Sequence, residues 1–381
     1  IISGNKYVIA YSNESAAQLL FEELEKIINS KATKDKIVID SKWNKSVEVE
    51  SFNEAGLKDS ISLPGIDGLG WATSGRDAGH GSKIYIANNA KESHFTSYLT
   101  TLKKAGFTEY TTNSLHTNKF ATYVTKAQIV HVMFFAPKSV IKVVVDPRST
   151  FGLPGLKNEN VYKQATTPTE FVQLGMTQIS GAAQNGMGYL IKLSDGRFIV
   201  IDAGFAYDSG GGGNSATFVL NTMKKMQGNS NKPVIAAYFI THIHTDHRAL
   251  FQKFIPTYKD KINLELVVWN MPDFNEIDSK YSPNWKEGES KPAKNYATPV
   301  AALTEIIKTN FPRTPIYTCH TGEKIYLPGC EIEILVCHED YYLNNFQWIN
   351  DTSLTCRITM QGKTMMVFGD TTKSVSNAII T

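Results

Sequence analysis

No run of about eighteen apolar residues occurs anywhere in the 381-residue chain, so the sequence contains no hydrophobic membrane-spanning segment. Cysteine is scarce. The four present, Cys319, Cys330, Cys337 and Cys356, lie in the last quarter, and none forms a Cys-x-x-Cys pair. That spacing argues against a zinc knuckle and excludes a dense disulfide framework; Cys337 beside His338 reads as a buried strand cysteine rather than a metal neighbour. An excess of one charge is missing too. A formal net charge of +3 leaves no polybasic surface, so no strong nucleic-acid-binding face is expected. The glycine-rich stretch 209–214 lacks the Lys-Ser/Thr of a P-loop. It reads as a mobile loop bordering a cleft in preference to a dedicated phosphate nest. The chain begins at Ile1 without an initiating Met, which fits a removed leader or a trimmed start.

What is present divides into three parts. Residues 1–88 predict a small α/β module: a strand at Tyr7–Tyr11, a helix at Glu14–Asn29, a strand at Lys36–Ile39, a Gly/Asp-rich loop over 60–80, and a further strand at Lys83–Ala87. Residues 89–150 predict a small α+β module. A helix over Glu92–Lys104 ends at Ala105-Gly106, and four strands follow at Thr108–Thr112, Lys119–Val124, Gln128–Phe135 and Val140–Val145. His94, His116 and His131 are scattered through it at no metal-ligand spacing, and each reads as an ordinary histidine. A Pro/Gly/Asn-rich linker over 147–168 leads to the third part, residues 168–381.

That third part holds the densest chemistry in the chain, Thr241-His-Ile-His-Thr-Asp-His247. The apolar run Pro233–Ile240 before it reads as a buried strand, and His247–Phe254 after it as a helix. On extended backbone His242 and His244 point the same way. Asp246 and His247 belong to the turn and the first helical residues and face a second point nearby. Two pairs of such ligands aimed at neighbouring points suit two zinc-like ions, with Mn or Fe as alternatives.

The context extends the motif. Upstream, Gly186–Gly204 predicts a strand pair around the turn Ser194-Asp-Gly196, ending in Asp202-Ala-Gly204. Downstream come Asn350-Asp-Thr-Ser-Leu354 and Met366-Val-Phe-Gly-Asp370. With these features the chain from about Glu170 onward resembles the metallo-β-lactamase superfamily. Within it, the chain is most similar to the hydrolase domain of bacterial DNA-uptake (competence) channel proteins. The resemblance implies an αββα sandwich, an α/β fold. It also implies that Asp370 bridges two metals, that His338 completes the set of His242 and His244, and that Asp202 supports the metal loop through backbone hydrogen bonds. His320, before the turn Thr321-Gly322, is the poorer third ligand. The family's last ligand histidine lies well beyond the bridging aspartate, whereas this chain ends eleven residues after Asp370. The resemblance therefore implies a domain cut short, with its second metal weakly held or absent. Arg248 stands where the family has a small residue and reads as a helix-surface side chain.

The chemistry expected of such a site is hydrolysis by a metal-activated water, with Asp246 placed to accept a proton. A phosphodiester or nucleic-acid-derived small molecule is the favoured substrate. Hydrolysis of a lactam, lactone or thioester is the first alternative; a non-catalytic cell-envelope binding protein built on the same scaffold is the second. The long polar stretch 271–299, with Tyr281 and Trp285, reads as a lid. The accessory-module look of the front half and the absent Met favour an extracytoplasmic location.

Overall fold

In the computed structural model the described residues are 2–3, 6–7, 57–153, 159–165, 167–174, 187–206, 215–229, 231–276, 293–340 and 349–371. The expected first-module helix and strand over 14–39, the glycine-rich stretch 209–214, the aromatics Tyr281 and Trp285, and the final segment after Thr371 lie outside them. Two short strands, β1 (Ile2–Ser3) and β2 (Lys6–Tyr7), pair antiparallel.

The front unit is one six-stranded antiparallel sheet. It is built from β3 (Thr73–Gly79), β4 (Ser82–Ala87), β5 (Thr108–Leu115), β6 (Asn118–Val124), β7 (Gln128–Phe135) and β8 (Val140–Pro147), in the order β3-β4-β8-β7-β6-β5. This corrects the expected organisation in two respects. Residues 73–79 form a strand within the segment read as a loop, and β4 pairs with β8. The boundary drawn at 88/89 therefore cuts through a single sheet. Helix α1 (Glu92–Ala105) covers one face of it. Gly106 ends α1 in the left-handed region at φ 104°, returning its N–H to Leu102 and Lys103 carbonyls. Period-two alternation sends Tyr123, Val130, Val132, Ile141 and Val143 toward Phe95, Tyr98 and Leu102 of α1. The same alternation sends Phe120, Thr122, His131, Met133, Lys142, Val144 and Asp146 to the opposite face. A lone sheet would leave those residues in water, yet all are buried, because the second unit covers them.

That second unit is α/β, with the sheet-on-sheet layering expected of a metallo-β-lactamase sandwich. A short helix α2 (Glu159–Lys163) precedes it and lies against its smaller sheet. Strands β9 (Glu170–Gln173), β10 (Gly188–Lys192), β11 (Phe198–Asp202), β12 (Val234–Phe239), β13 (Asn263–Leu264), β14 (Val267–Trp269) and β15 (Ile316–Thr318) form a mixed sheet. The β9-β10-β11 part is antiparallel, and β11, β12, β14 and β15 run parallel. Strands β16 (Lys324–Leu327), β17 (Cys330–Val336), β18 (Thr355–Met360) and β19 (Lys363–Val367) form an antiparallel sheet. The two sheets meet through Ile199, Ile201, Ala237 and Phe239 on one side and Ile332, Ile334, Ile358 and Val367 on the other. All four cysteines are buried and unbridged, Cys337 among them.

Helices α3 (Ser215–Gln227), α4 (Thr245–Tyr258) and α6 (Ala297–Asn310) cover the outer face of the mixed sheet; a one-turn α5 (Phe274–Glu276) lies between the last two in sequence. α4 runs four residues past its expected end with Pro256 inside it. A proline there costs roughly 3 kcal/mol through a lost hydrogen bond and ring clash, offset by burying Ile255 and Tyr258 beyond the expected stop. No helix among the described residues is long and apolar enough to cross a membrane.

Candidate metal centre

Asp202 closes β11 with φ at 56°, and Ala203 follows at 98°. A left-handed pair of non-glycine residues is strained backbone, and here it turns the Asp202 carboxylate under the next strand. Its Oδ1 accepts the Thr241 N–H at 2.8 Å, and its Oδ2 accepts the Thr241 hydroxyl at 2.8 Å. Oδ2 also lies 2.9 Å from His247 Nδ1, which donates to it. The Tyr238 hydroxyl donates to the Asp202 carbonyl at 2.7 Å. One carboxylate thus fixes both the end of the β12 segment and the ring of His247. The support expected from the resemblance lies in the backbone; the side-chain bond to His247 adds to it.

The chain leaves β12 through Thr241-His242-Ile243, and His244 stands at the N-cap of α4. His242 Nε2 and His244 Nδ1 are 3.0 Å apart. His242 and His247 rings approach to 4.1 Å between centroids. The third contributor arrives from the other sheet. Leu354 donates its N–H to the Thr241 carbonyl at 2.8 Å, and the Ser353 hydroxyl accepts the Asp370 N–H at 3.2 Å. Gly369, with φ at 57°, sits so close that a Cβ there would fall 2.9 Å from Ser353 and 3.1 Å from Thr241. The Ser-Leu and Gly-Asp stretches therefore dock on Thr241 and hold Asp370 beside the histidines. Asp370 Oδ1 is 3.3 Å from His247 Nε2, and Asp246 Oδ2 is 3.7 Å from the same nitrogen.

His242, His247 and Asp370 each bring a ligand atom within 4.8 Å of the others. His244 touches this group through His242, and Asp246 through His247. His338 is not brought into it. Its imidazole is buried in the turn His338–Asp340 after β17, among Asn270, Glu339, His320 and His80. His338 therefore lies outside the group of His242, His247 and Asp370, at the 3-10 turn that follows β17. Arg248 binds the Ile243 carbonyl at 2.8 Å and the side chain of Gln252, and so lies along α4.

The donor set fits a metal. Burial, with His247 and His244 close by, holds the His242 ring well below its usual pKa and hence neutral, the form a metal takes. Burial pulls His247 the same way, but Asp202 and Asp370 outweigh it and raise it to about 10 when no cation is present. The hydrogen bond from His247 holds the Asp370 carboxyl below its ordinary value. His247 also shows the carboxylate-on-Nδ1 arrangement typical of ligand histidines, which aims Nε2 at the ion. Asp370 shares its group with one imidazole of each pair, so a single carboxylate reaches toward both points.

A second cluster was not anticipated. His131 and Asp146 of the front sheet meet His320 of the second unit, again with ligand atoms within 4.8 Å of one another. Sequence spacing offered no signal for it, since Asp146 and His320 are 174 residues apart.

No family model and no curated protein matches the chain. Among solved structures it is similar to CmlA, a diiron beta-hydroxylase from Streptomyces venezuelae. That match has 12% identity and a TM-score of 0.26, over 48% of this chain and 27% of that one. A mutant of the CmlA beta-hydroxylase is matched at 9% identity and a TM-score of 0.26, over 65% of this chain and 45% of that one. The chain therefore spans less than half the length of these solved proteins, and a likeness so shallow assigns it no activity.

Proposed function

We propose that the chain is a metal-dependent hydrolase whose centre is formed by His242, His244, Asp246, His247 and Asp370, acting on a small-molecule or nucleic-acid-derived phosphodiester. The observation that carries this is the meeting of His242, His247 and Asp370 within 4.8 Å, two from the β12–α4 turn and one from the other sheet. When bound, a pair of divalent ions such as zinc lowers the pKa of a coordinated water toward about 7 and offsets charge developing on the substrate oxygens.

The protein's own groups supply the rest. His242 offers a neutral nitrogen and His244 a second imidazole at one point, and Asp246 and His247 offer an oxygen and a nitrogen at the other. Asp370, held by Ser353, spans the two. Asp202 keeps the His247 ring from rotating. Asp246, with its side chain about a quarter exposed, has an oxygen free to take up a proton from the solvent side.

The test is metal analysis combined with turnover of bis-p-nitrophenyl phosphate after loading with Zn, Mn or Fe. We expect His244→Ala to lower kcat/KM at least 100-fold. Tight metal binding with no turnover on phosphodiester, lactone, lactam or thioester probes would overturn the enzymatic reading in favour of a binding protein.

A further inference from the structure

We propose that His131, Asp146 and His320 form a second divalent-metal site, buried between the front sheet and the α/β unit and separate from the centre at the β12–α4 turn. The ion it suits is a transition metal, zinc foremost, since two imidazoles and one carboxylate make a borderline-soft donor set.

Four features of the geometry support the assignment. The two imidazoles stack with centroids 3.8 Å apart and planes inclined by 27°. Both present Nε2 to the same oxygen, Asp146 Oδ2, at 2.8 Å from His320 and 3.6 Å from His131. Each ring has a different carboxylate on its other nitrogen: His320 Nδ1 lies 2.6 Å from Glu339, and His131 Nδ1 lies 3.3 Å from Glu323. That carboxylate–histidine pairing orients a ligand ring and raises its basicity, and here it occurs twice around one point. The outer carboxylates are themselves fixed. The Tyr317 hydroxyl and the His320 N–H donate to Glu323, and the Ser82 hydroxyl donates to the remaining oxygen of Asp146.

Burial sharpens the case. None of these five side chains belongs to a residue more than 7% exposed. Three carboxylates meeting out of water need positive charge at their centre, and a single divalent ion carries as much as protons on both stacked rings would. It does so without setting two like charges face to face. A small cavity lined by Thr111, Asn113, Thr122, His131, Gly322 and Glu323 lies alongside. The burial leaves no room for a substrate over the ion, so its role is to join the two units.

The experiment uses the full chain carrying His242→Ala, His244→Ala, His247→Ala and Asp370→Ala, which removes every imidazole of the centre at the β12–α4 turn and leaves the buried cluster whole. The protein is stripped by chelator, reloaded with one equivalent of Zn or Co, desalted and analysed for metal. We expect close to one ion retained, a cobalt spectrum of a nitrogen/oxygen site, and a thermal midpoint raised by the ion. Adding His320→Gln should abolish all three. Less than about a tenth of an equivalent retained would overturn the proposal, and so would full retention after His320→Gln. If the His320→Gln protein does not fold, x-ray absorption of the protein lacking His242, His244, His247 and Asp370 decides: imidazole on the ion supports the site, none overturns it. Failure of the hydrolase reading would leave these outcomes unchanged.

Discussion

Asp202 shows how much one buried carboxylate can arrange. It accepts two bonds from Thr241 and one from His247. Replacing it with Asn keeps the size but swaps one acceptor for a donor. We expect Asp202→Asn to weaken metal binding about 10- to 100-fold, as loss of such outer partners does, read by competition with a chromophoric chelator. An unchanged affinity would mean that Asp202 serves the backbone alone. His338 supplies a different prediction. Burial holds its pKa down at about 4, below the ordinary histidine value of about 6.5. Between those values the unfolded chain binds a proton that the folded chain refuses. The contribution is therefore fully present above about pH 6.5 and is lost as pH falls toward 4. The size is on the order of 3 kcal/mol. In urea titrations of metal-free protein, His338→Asn should flatten this acid limb; an unaltered slope would remove His338 as its source.

At the scale of elements, the part of the site carried by the β12–α4 turn was legible because its ligands are neighbours in sequence. Asp370 was legible only through the resemblance, and the structure supplies the reason for its place: Leu354, Ser353 and Gly369 fasten the β18–β19 strand pair onto Thr241. His131 and Asp146 were not legible. Each looks ordinary in its own strand, and their shared face shows only once β7 and β8 pair with a two-residue offset, His131 opposite Val144. β15 and β16 were also missed, being three and four residues long, too short for alternation to register. The docking of Asp370 gives a direct test. Gly369→Ala places a methyl against Ser353 and Thr241 at a positive φ. We expect a stability loss of about 1–3 kcal/mol, with metal affinity falling alongside, by denaturation and chelator competition. A stable variant with intact affinity would show that the loop can shift without disturbing the centre.

For the whole molecule, the buried face of the front sheet is covered by two turns of the α/β unit, one around Gly322 and one at His338–Asp340. Gly322, at φ 87°, lies against the Phe120 ring so closely that a Cβ would fall 2.0 Å from it. Asn113 donates to the Gly322 carbonyl at 2.8 Å, and Lys142 reaches the Glu339 carbonyl. Gly322→Ala must therefore push the units apart or displace Phe120. We expect it to lower the thermal midpoint and to split a single calorimetric transition into two. A single unshifted transition would show that the contact is dispensable.

The same contact sets a timetable for synthesis. Asp146 leaves the ribosome 174 residues before His320, an interval of roughly 10–35 s at ordinary translation rates. Throughout it the nascent sheet can cover its α1 side but must keep Asp146, His131 and Lys142 hydrated on the other. Those polar groups interrupt the apolar patch of Phe120, Met133 and Val144 on the same face, so the residues that later join the two units also break up the stickiest surface of the half-made protein.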